Sequence, residues 1–100
     1  MAYDPGALNA SLAAAVGNDS ALMAELRGAF IESAQRQFDL MSRARCDANW
    51  TVSANRLKSL AASFGASGLV ALADEALEGA PGDPVALRKI AVSIDDFAQL

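Results

Sequence analysis

The stretch that decides the fold is Ala54-Asn55-Arg56-Leu57-Lys58-Ser59-Leu60-Ala61-Ala62-Ser63-Phe64-Gly65-Ala66. Its apolar residues recur every three or four positions, which is the spacing of one face of an α-helix. The packed face of this helix is predicted to carry Leu57, Leu60, Ala61 and Phe64, with Trp50 two turns earlier. The opposite, solvent-facing side is predicted to carry Asn55, Lys58, Ser59 and Ala62, with Thr51 and Val52 one turn earlier. Gly65 is expected to end the helix, because glycine readily adopts the positive φ found at that position.

The same stretch resembles the central motif of histidine-containing phosphotransfer (HPt) domains. In that family Ala-His-x-Leu-Lys-Gly is followed by a run of small residues and then by a glycine. The matching residues here are Ala54, Leu57, Lys58, the run Ala61-Ala62-Ser63 and Gly65, and Leu72, Ala73 and Glu78 match the helix that pairs with the motif helix. Two positions differ: Asn55 stands where the family has its phospho-accepting histidine, and Ser59 stands where glycine is usual.

The resemblance implies a signalling context. An HPt histidine faces solvent, accepts a phosphoryl group from an aspartate of a receiver domain and passes it on. The resemblance therefore implies a cytoplasmic, bacterial domain of a two-component phosphorelay, with a response-regulator receiver domain as partner and a sensor kinase as a further one. The residues expected to bind the partner are Thr51, Val52, Asn55, Arg56, Lys58, Ser59 and Ala62.

The presence of Asn55 in place of the family's histidine removes the phosphoryl transfer that the resemblance implies. The lone pair of an amide nitrogen is delocalised, so asparagine is not a useful nucleophile near pH 7. We therefore expect a domain that docks a receiver but carries no phosphate, with no catalytic residue and no cofactor. Three origins of Asn55 stay open: drift at an unused site, a docking residue that resists phosphorylation, or a laboratory change from histidine. Lys58 is equally compatible with a retained binding role and with an ordinary surface lysine.

Length and composition predict one all-α domain over residues 1–100. A chain of 100 residues can bury one core. Its 53% hydrophobic content is rich in alanine, which favours helices, and no stretch alternates in the manner of a strand. Together with the resemblance, this predicts an antiparallel four-helix bundle of HPt type with a short additional N-terminal helix.

The charge of the chain is unevenly distributed. The net charge of −4 argues against a general nucleic-acid binder. Residues 27–58 hold six basic and three acidic residues, whereas residues 74–100 hold two basic and six acidic residues. This distribution is compatible with ordinary solvated faces, and also with a basic patch for an acidic partner.

Several kinds of site are excluded by residue counts. Cys46 is the only cysteine, so the chain forms no internal disulfide, which fits a reducing cytoplasm. The chain contains no histidine, which excludes Ser-His and Cys-His nucleophiles and histidine-containing zinc sites.

No apolar run is long enough to span a membrane, and no signal peptide is expected.

Capping and breaking residues predict the helix boundaries. The first helix should open at Asp4-Pro5 and stop at Gly17, and the second should run from Ser20, after the cap Asn18-Asp19, to Arg45. The motif helix should run from Asp47 to Phe64, and the fourth helix should be capped by Ser67. After a break at residues 79–82, the last helix should begin at Asp83-Pro84 and run to the chain end.

Apolar stripes predict which side of each remaining helix is packed. The expected stripes are Leu22, Leu26, Phe30, Ala34, Phe38 and Met41 with Met23 and Leu40 in the second helix, Leu69, Leu72, Ala73, Ala76 and Leu77 in the fourth, and Val85, Leu87, Ile90, Ala91, Ile94, Phe97 and Ala98 in the last.

Two other functions are weighed against docking. The first is a structural or dimerising helical module with HPt ancestry only, for example a homodimer formed through an apolar strip on the last helix. The second is catalysis, for which the sequence offers no constellation. The carboxylate pairs Asp74-Glu75 and Asp95-Asp96 are adjacent in sequence, so their side chains point in different directions on a helix.

Overall fold

Four α-helices and their short connections make up residues 19–99. The computed structural model describes residues 10, 12, 14, 17 and 19–99 of the chain. The four helices are α1 (Ser20–Arg43), α2 (Asp47–Ser63), α3 (Ser67–Glu78) and α4 (Pro84–Ala98). These residues contain no strand. The predicted all-α class is therefore confirmed for the part of the chain that the structure describes.

The predicted N-terminal helix lies mostly outside the described residues. Ala10, Leu12 and Ala14 are helical, and Leu12 is buried in the core. Gly17 has a φ of 66°, as expected of a glycine that stops a helix. The opening at Asp4-Pro5 is not among the described residues.

The four helices pack in a ring. Each helix contacts the next along the chain, and α4 also contacts α1. Trp50 near the start of α2 donates a hydrogen bond to Ala76 O near the end of α3, and Lys58 farther along α2 pairs with Asp74 earlier in α3. These two contacts show that α2 and α3 run antiparallel. Short connections at residues 44–46, 64–66 and 79–83 bring each helix back alongside the one before it.

Large side chains from all four helices fill the centre of the ring. The largest fully buried apolar side chains are Trp50, Phe30, Phe97, Met41, Leu57, Leu69 and Ile90. The Phe30 ring lies 5.1 Å from that of Phe64 and 5.5 Å from that of Phe97, so one aromatic cluster joins α1, the end of α2 and α4.

None of the described helices has the length and apolar character that a membrane span requires.

The turn after α2 forms as the sequence predicts. Gly65 has a φ of 72°, and its N–H donates to Ala62 O. The N–H of Ala66 donates to Ala61 O at 2.8 Å, which completes a Schellman motif. Because this motif closes at Ala66, the cap of α3 is Ala66 and not the predicted Ser67, which is already helical.

The other boundaries agree with the sequence to within two residues. The Asp19 and Asp83 carboxylates accept from the N–H groups of Leu22 and Val85, as expected of N-caps. Helix α1 ends at Arg43 rather than at Arg45, because Ala44 is already extended. Asp47 begins α2, as predicted, with the capping backbone geometry at Cys46.

The predicted packed stripes are confirmed in the middle of each helix and are wrong at some margins. In α1, Phe30, Ala34 and Met41 are buried, but Leu22 and Leu40 are 40% and 42% exposed. In α4, Val85 and Ala98 are exposed. An apolar stripe predicts which side of a helix is packed, but it does not predict how far the neighbouring helices cover that side.

One buried hydroxyl leads to a stability prediction. Ser93 is fully buried in α4, and its Oγ has no hydrogen-bond partner among the residues that the structure describes. An unsatisfied buried polar group costs roughly 1–3 kcal/mol. We expect Ser93→Ala to raise the free energy of unfolding by about 1 kcal/mol in urea denaturation.

Ser63→Ala is the matched control, since Ser63 is an exposed helical serine whose Oγ donates to Ser59 O at 2.9 Å. Both substitutions gain the helix propensity of alanine, and Ser63→Ala also loses one exposed hydrogen bond, worth roughly 0.5–1.5 kcal/mol. If Ser93→Ala gains no more than Ser63→Ala, the Ser93 hydroxyl carries no penalty.

Candidate functional site

The residues expected to bind a partner lie together on the solvent side of α2. Exposed members are Thr51, Val52, Asn55, Arg56, Ser59 and Ala62, and Lys58 is half-buried at the margin. We call these seven residues the docking face. Trp50, Ala54, Leu57 and Ala61 hold the opposite side of α2 in the core, each no more than 1% exposed. Because that side of α2 is packed in the core, the docking face is the side that remains open to solvent.

Asn55 is surrounded by small side chains along the helix. Thr51 lies one turn before it and Ser59 one turn after it, and both are exposed. Ala62 extends the same stripe by a further turn. A partner can therefore approach the position-55 side chain without meeting a large neighbour on the same stripe.

Lys58 is turned toward α3. Its Nζ lies 2.7 Å from Oδ1 of Asp74, and the two side chains are 41% and 51% exposed. The sequence places Lys58 one turn beyond Asn55 but does not reveal this ion pair, because the pair depends on how α3 folds back along α2. Lys58 thus lies at the margin of the docking face, and its charge is balanced by a carboxylate on the neighbouring helix.

The Lys58–Asp74 pair is expected to contribute little to stability. Ion pairs this exposed contribute roughly 0–1 kcal/mol, because water competes for both charges. We expect Asp74→Asn to change the free energy of unfolding by less than about 1 kcal/mol in urea denaturation. Asp39→Asn, which removes an exposed pair with Arg43 inside α1, is the control. A loss above about 2 kcal/mol for Asp74→Asn alone would show that the pair fastens α2 to α3.

A cleft adjoins the docking face on the side of α1. It has a volume of about 450 Å³ and is lined by Leu40, Arg43, Ala44, Asn49, Val52, Ser53 and Arg56. We call it the α1–α2 cleft. Val52 and Arg56 belong to both the cleft and the docking face, whereas Leu40 and Arg43 were not among the site residues expected from the sequence. The exposure of Leu40 could not be foreseen, because its spacing matches the packed stripe of α1.

Arg56 carries a charge that the described residues do not balance. The salt bridges among those residues join Arg36 to Glu32, Arg43 to Asp39, Lys58 to Asp74 and Lys89 to Glu75. Arg56 takes part in none of them and is exposed. It is therefore the cation of the docking face that is most readily offered to an acidic partner.

The structure also places the acidic side chains and the cysteine that could serve as metal ligands. The described residues contain no group of three or more Cys, Asp or Glu side chains that could hold a metal ion. Asp74, Glu75 and Glu78 line a smaller depression on α3, where Asp74 and Glu75 are each paired with a lysine. Cys46 is exposed at the cap of α2.

The apolar strip predicted on the last helix is interrupted. Val85 and Val92 of α4 are 50% and 51% exposed, but the exposed cations Arg88 and Lys89 lie in the turns between them. A two-fold contact along this strip would bring like charges together. The surface of α4 thus gives no specific support to dimerisation.

Comparison of the chain with models of protein families, with characterised proteins and with solved structures finds no match. The resemblance to HPt domains therefore remains an expectation that depends on the sequence of α2 and α3 alone.

Proposed function

We propose that this chain is an HPt-like docking module of a two-component phosphorelay, which binds a response-regulator receiver domain in the cytoplasm and does not itself carry phosphate. The observation that carries the proposal is the exposed docking face, with Asn55 flanked by small side chains at the position of the family's histidine. A sensor kinase that presents a similar receiver surface would be a second partner.

The lack of phosphoryl transfer follows from the side chains that the chain possesses. Asn55 offers a neutral amide, and the chain has no histidine to replace it. A receiver that docks here would keep its phosphoryl group, so the protein would sequester the receiver or hold it in an assembly. The amide of Asn55 can still donate and accept hydrogen bonds at the centre of the contact.

Charge complementarity supports an acidic partner surface. The active pocket of a receiver is acidic, and Arg56 is exposed and unbalanced beside Asn55. Lys58 could add a second cation by leaving Asp74, because an ion pair this exposed is inexpensive to break. We therefore expect Asp74→Asn, which frees Lys58, to strengthen receiver binding.

Titration with receiver domains tests the proposal. The labelled protein would be mixed with each receiver of the source organism, with and without beryllofluoride as a phosphoryl mimic. Backbone amide shifts would be followed by NMR. We expect saturable shifts centred on residues 51–62 with at least one receiver. Arg56→Glu should weaken that binding by roughly tenfold or more, because it places like charges in the contact.

Arg88→Glu on α4 is the matched control, since Arg88 is also exposed and lies on another helix. It should leave the affinity within about twofold. The absence of binding to every receiver, or shifts confined to α4, would contradict the docking function.

A further inference from the structure

The α1–α2 cleft combines exposed apolar side chains with cations in a concave surface that two helices form together. Five large apolar side chains are exposed among the described residues, and two of them, Leu40 and Val52, line this cleft. Arg43 and Arg56 line the same cleft, one from each helix. An apolar strip and two cations therefore share one concave surface.

The floor of the cleft is firmly held. Ala44 is 7% exposed and Ser53 is 5% exposed, so both are anchored in the bundle. The two walls come from the end of α1 and the first half of α2, which are joined by the short connection at residues 44–46. The cleft is thus a preformed feature of the α1–α2 hairpin.

The charges of the cleft favour an anionic occupant. Arg56 forms none of the ion pairs of the described residues. Arg43 is paired with Asp39, one turn away on α1. These side chains are 67% and 60% exposed, so the guanidinium can turn to another carboxylate at little cost. The cleft also lies in the section of the chain, residues 27–58, where basic residues outnumber acidic ones.

The shape of the cleft favours a peptide over a small molecule. Sites for small molecules bury most of their ligand. Here Leu40 and Val52, 42% and 46% exposed, lie on different helices, so the apolar surface suits a partner long enough to contact both walls. The described residues contain no strand and hence no sheet edge to which an extended peptide could add. An amphipathic helix laid into the groove is the mode of peptide recognition that the surface allows.

We propose that the α1–α2 cleft binds an acidic amphipathic helix of another protein. Leucine-like side chains of that helix pack between Leu40 and Val52, and its flanking carboxylates pair with Arg43 and Arg56. This proposal does not rest on the docking of a receiver, because it requires neither Asn55 nor the far end of the docking face.

The test uses defined peptides. The probe is a helical peptide of about 16 residues with leucine at every third or fourth position and glutamate between, titrated into the labelled protein. A peptide with every glutamate replaced by glutamine is the matched probe. We expect saturable amide shifts at the lining residues of the cleft with the acidic peptide. The glutamine peptide should bind at least fivefold more weakly, and added salt should weaken the acidic peptide.

Variants of the protein separate the cleft from the remainder of the surface. Arg43→Gln and Arg56→Gln together should reduce affinity for the acidic peptide by roughly tenfold or more, and Leu40→Ser should reduce it by about threefold or more. Arg88→Gln on α4 and Ala62→Ser at the far end of the docking face should each leave affinity within about twofold. All of these positions are exposed, so the variants should fold, and circular dichroism would verify this.

Four outcomes would overturn the proposal. The acidic peptide could produce no saturable shift, or the glutamine peptide could bind equally well. Free glutamate could produce the same shifts at the same concentration, which would make the cleft a site for small anions. Dilution of the protein alone could move the same amides, which would assign the cleft to a second copy of the chain.

Discussion

Trp50→Ala is expected to lower the free energy of unfolding by about 3–5 kcal/mol, the range found when a large buried aromatic side chain is truncated. Trp50 has the largest of the fully buried side chains and is 1% exposed. Its indole Nε1 donates to Ala76 O at 2.8 Å, so it joins α2 to α3 by packing and by a hydrogen bond. Domains of this size have a total stability of about 5–15 kcal/mol, so the loss would be a large part of it.

The measurement is urea denaturation followed by far-ultraviolet circular dichroism. Fluorescence cannot serve, because Trp50 is the only tryptophan and the variant lacks it. Trp50→Phe keeps an aromatic ring and removes the indole N–H, and should cost less, about 1–2 kcal/mol. Val92→Ala, at a position 51% exposed on α4, should change stability by no more than about 0.5 kcal/mol. A loss below about 1.5 kcal/mol for Trp50→Ala would contradict the central position of the indole.

The helices could be predicted because their signals are local. The Asp83-Pro84 pair supplies both a side-chain cap and a residue suited to the first turn, and α4 begins at Pro84. Gly65 supplies the positive φ that ends α2. The spacing of Leu57 and Ala61 predicts the packed side of α2, and both are fully buried. Each of these predictions needs only neighbours within about one helical turn.

The features that the sequence left unpredicted depend on contacts between helices. Leu40 continues the apolar spacing of α1, yet it is exposed because α2 does not cover that edge of the hairpin. Lys58 was expected at the surface, but its pairing with Asp74 requires the register of α2 against α3. The α1–α2 cleft likewise exists only where the end of α1 meets the first half of α2. Most of the residues predicted on the solvent side of α2 are exposed, because the core side of that helix is continuous, but Lys58 is half-buried.

On the proposed function, Asn55→His is expected to accept a phosphoryl group from a phosphorylated receiver, and the wild type is expected to accept none. An imidazole is largely neutral near pH 7, so a ring nitrogen has a free lone pair. In the transfer, that nitrogen attacks phosphorus and the P–O bond to the receiver aspartate breaks, which frees the aspartate carboxylate. The other ring nitrogen gives its proton to water. Position 55 is exposed and flanked by Thr51 and Ser59, so the face would admit the receiver.

A radiolabelled receiver would be incubated with the wild type, with Asn55→His and with Asn49→His, and acid-labile, base-stable phosphoprotein would be measured. Asn49 is the matched control, because it is an exposed asparagine of the same helix that lies outside the docking face. We expect labelling of Asn55→His alone.

Adding Lys58→Gln to Asn55→His should slow the labelling by roughly tenfold, since the cation one turn away balances the charge of the incoming phosphoryl group. Equal labelling of the Asn49→His variant would mean that any surface histidine reacts. Receiver binding without labelling of Asn55→His would mean that the docking face persists, although position 55 no longer meets the phosphoryl group.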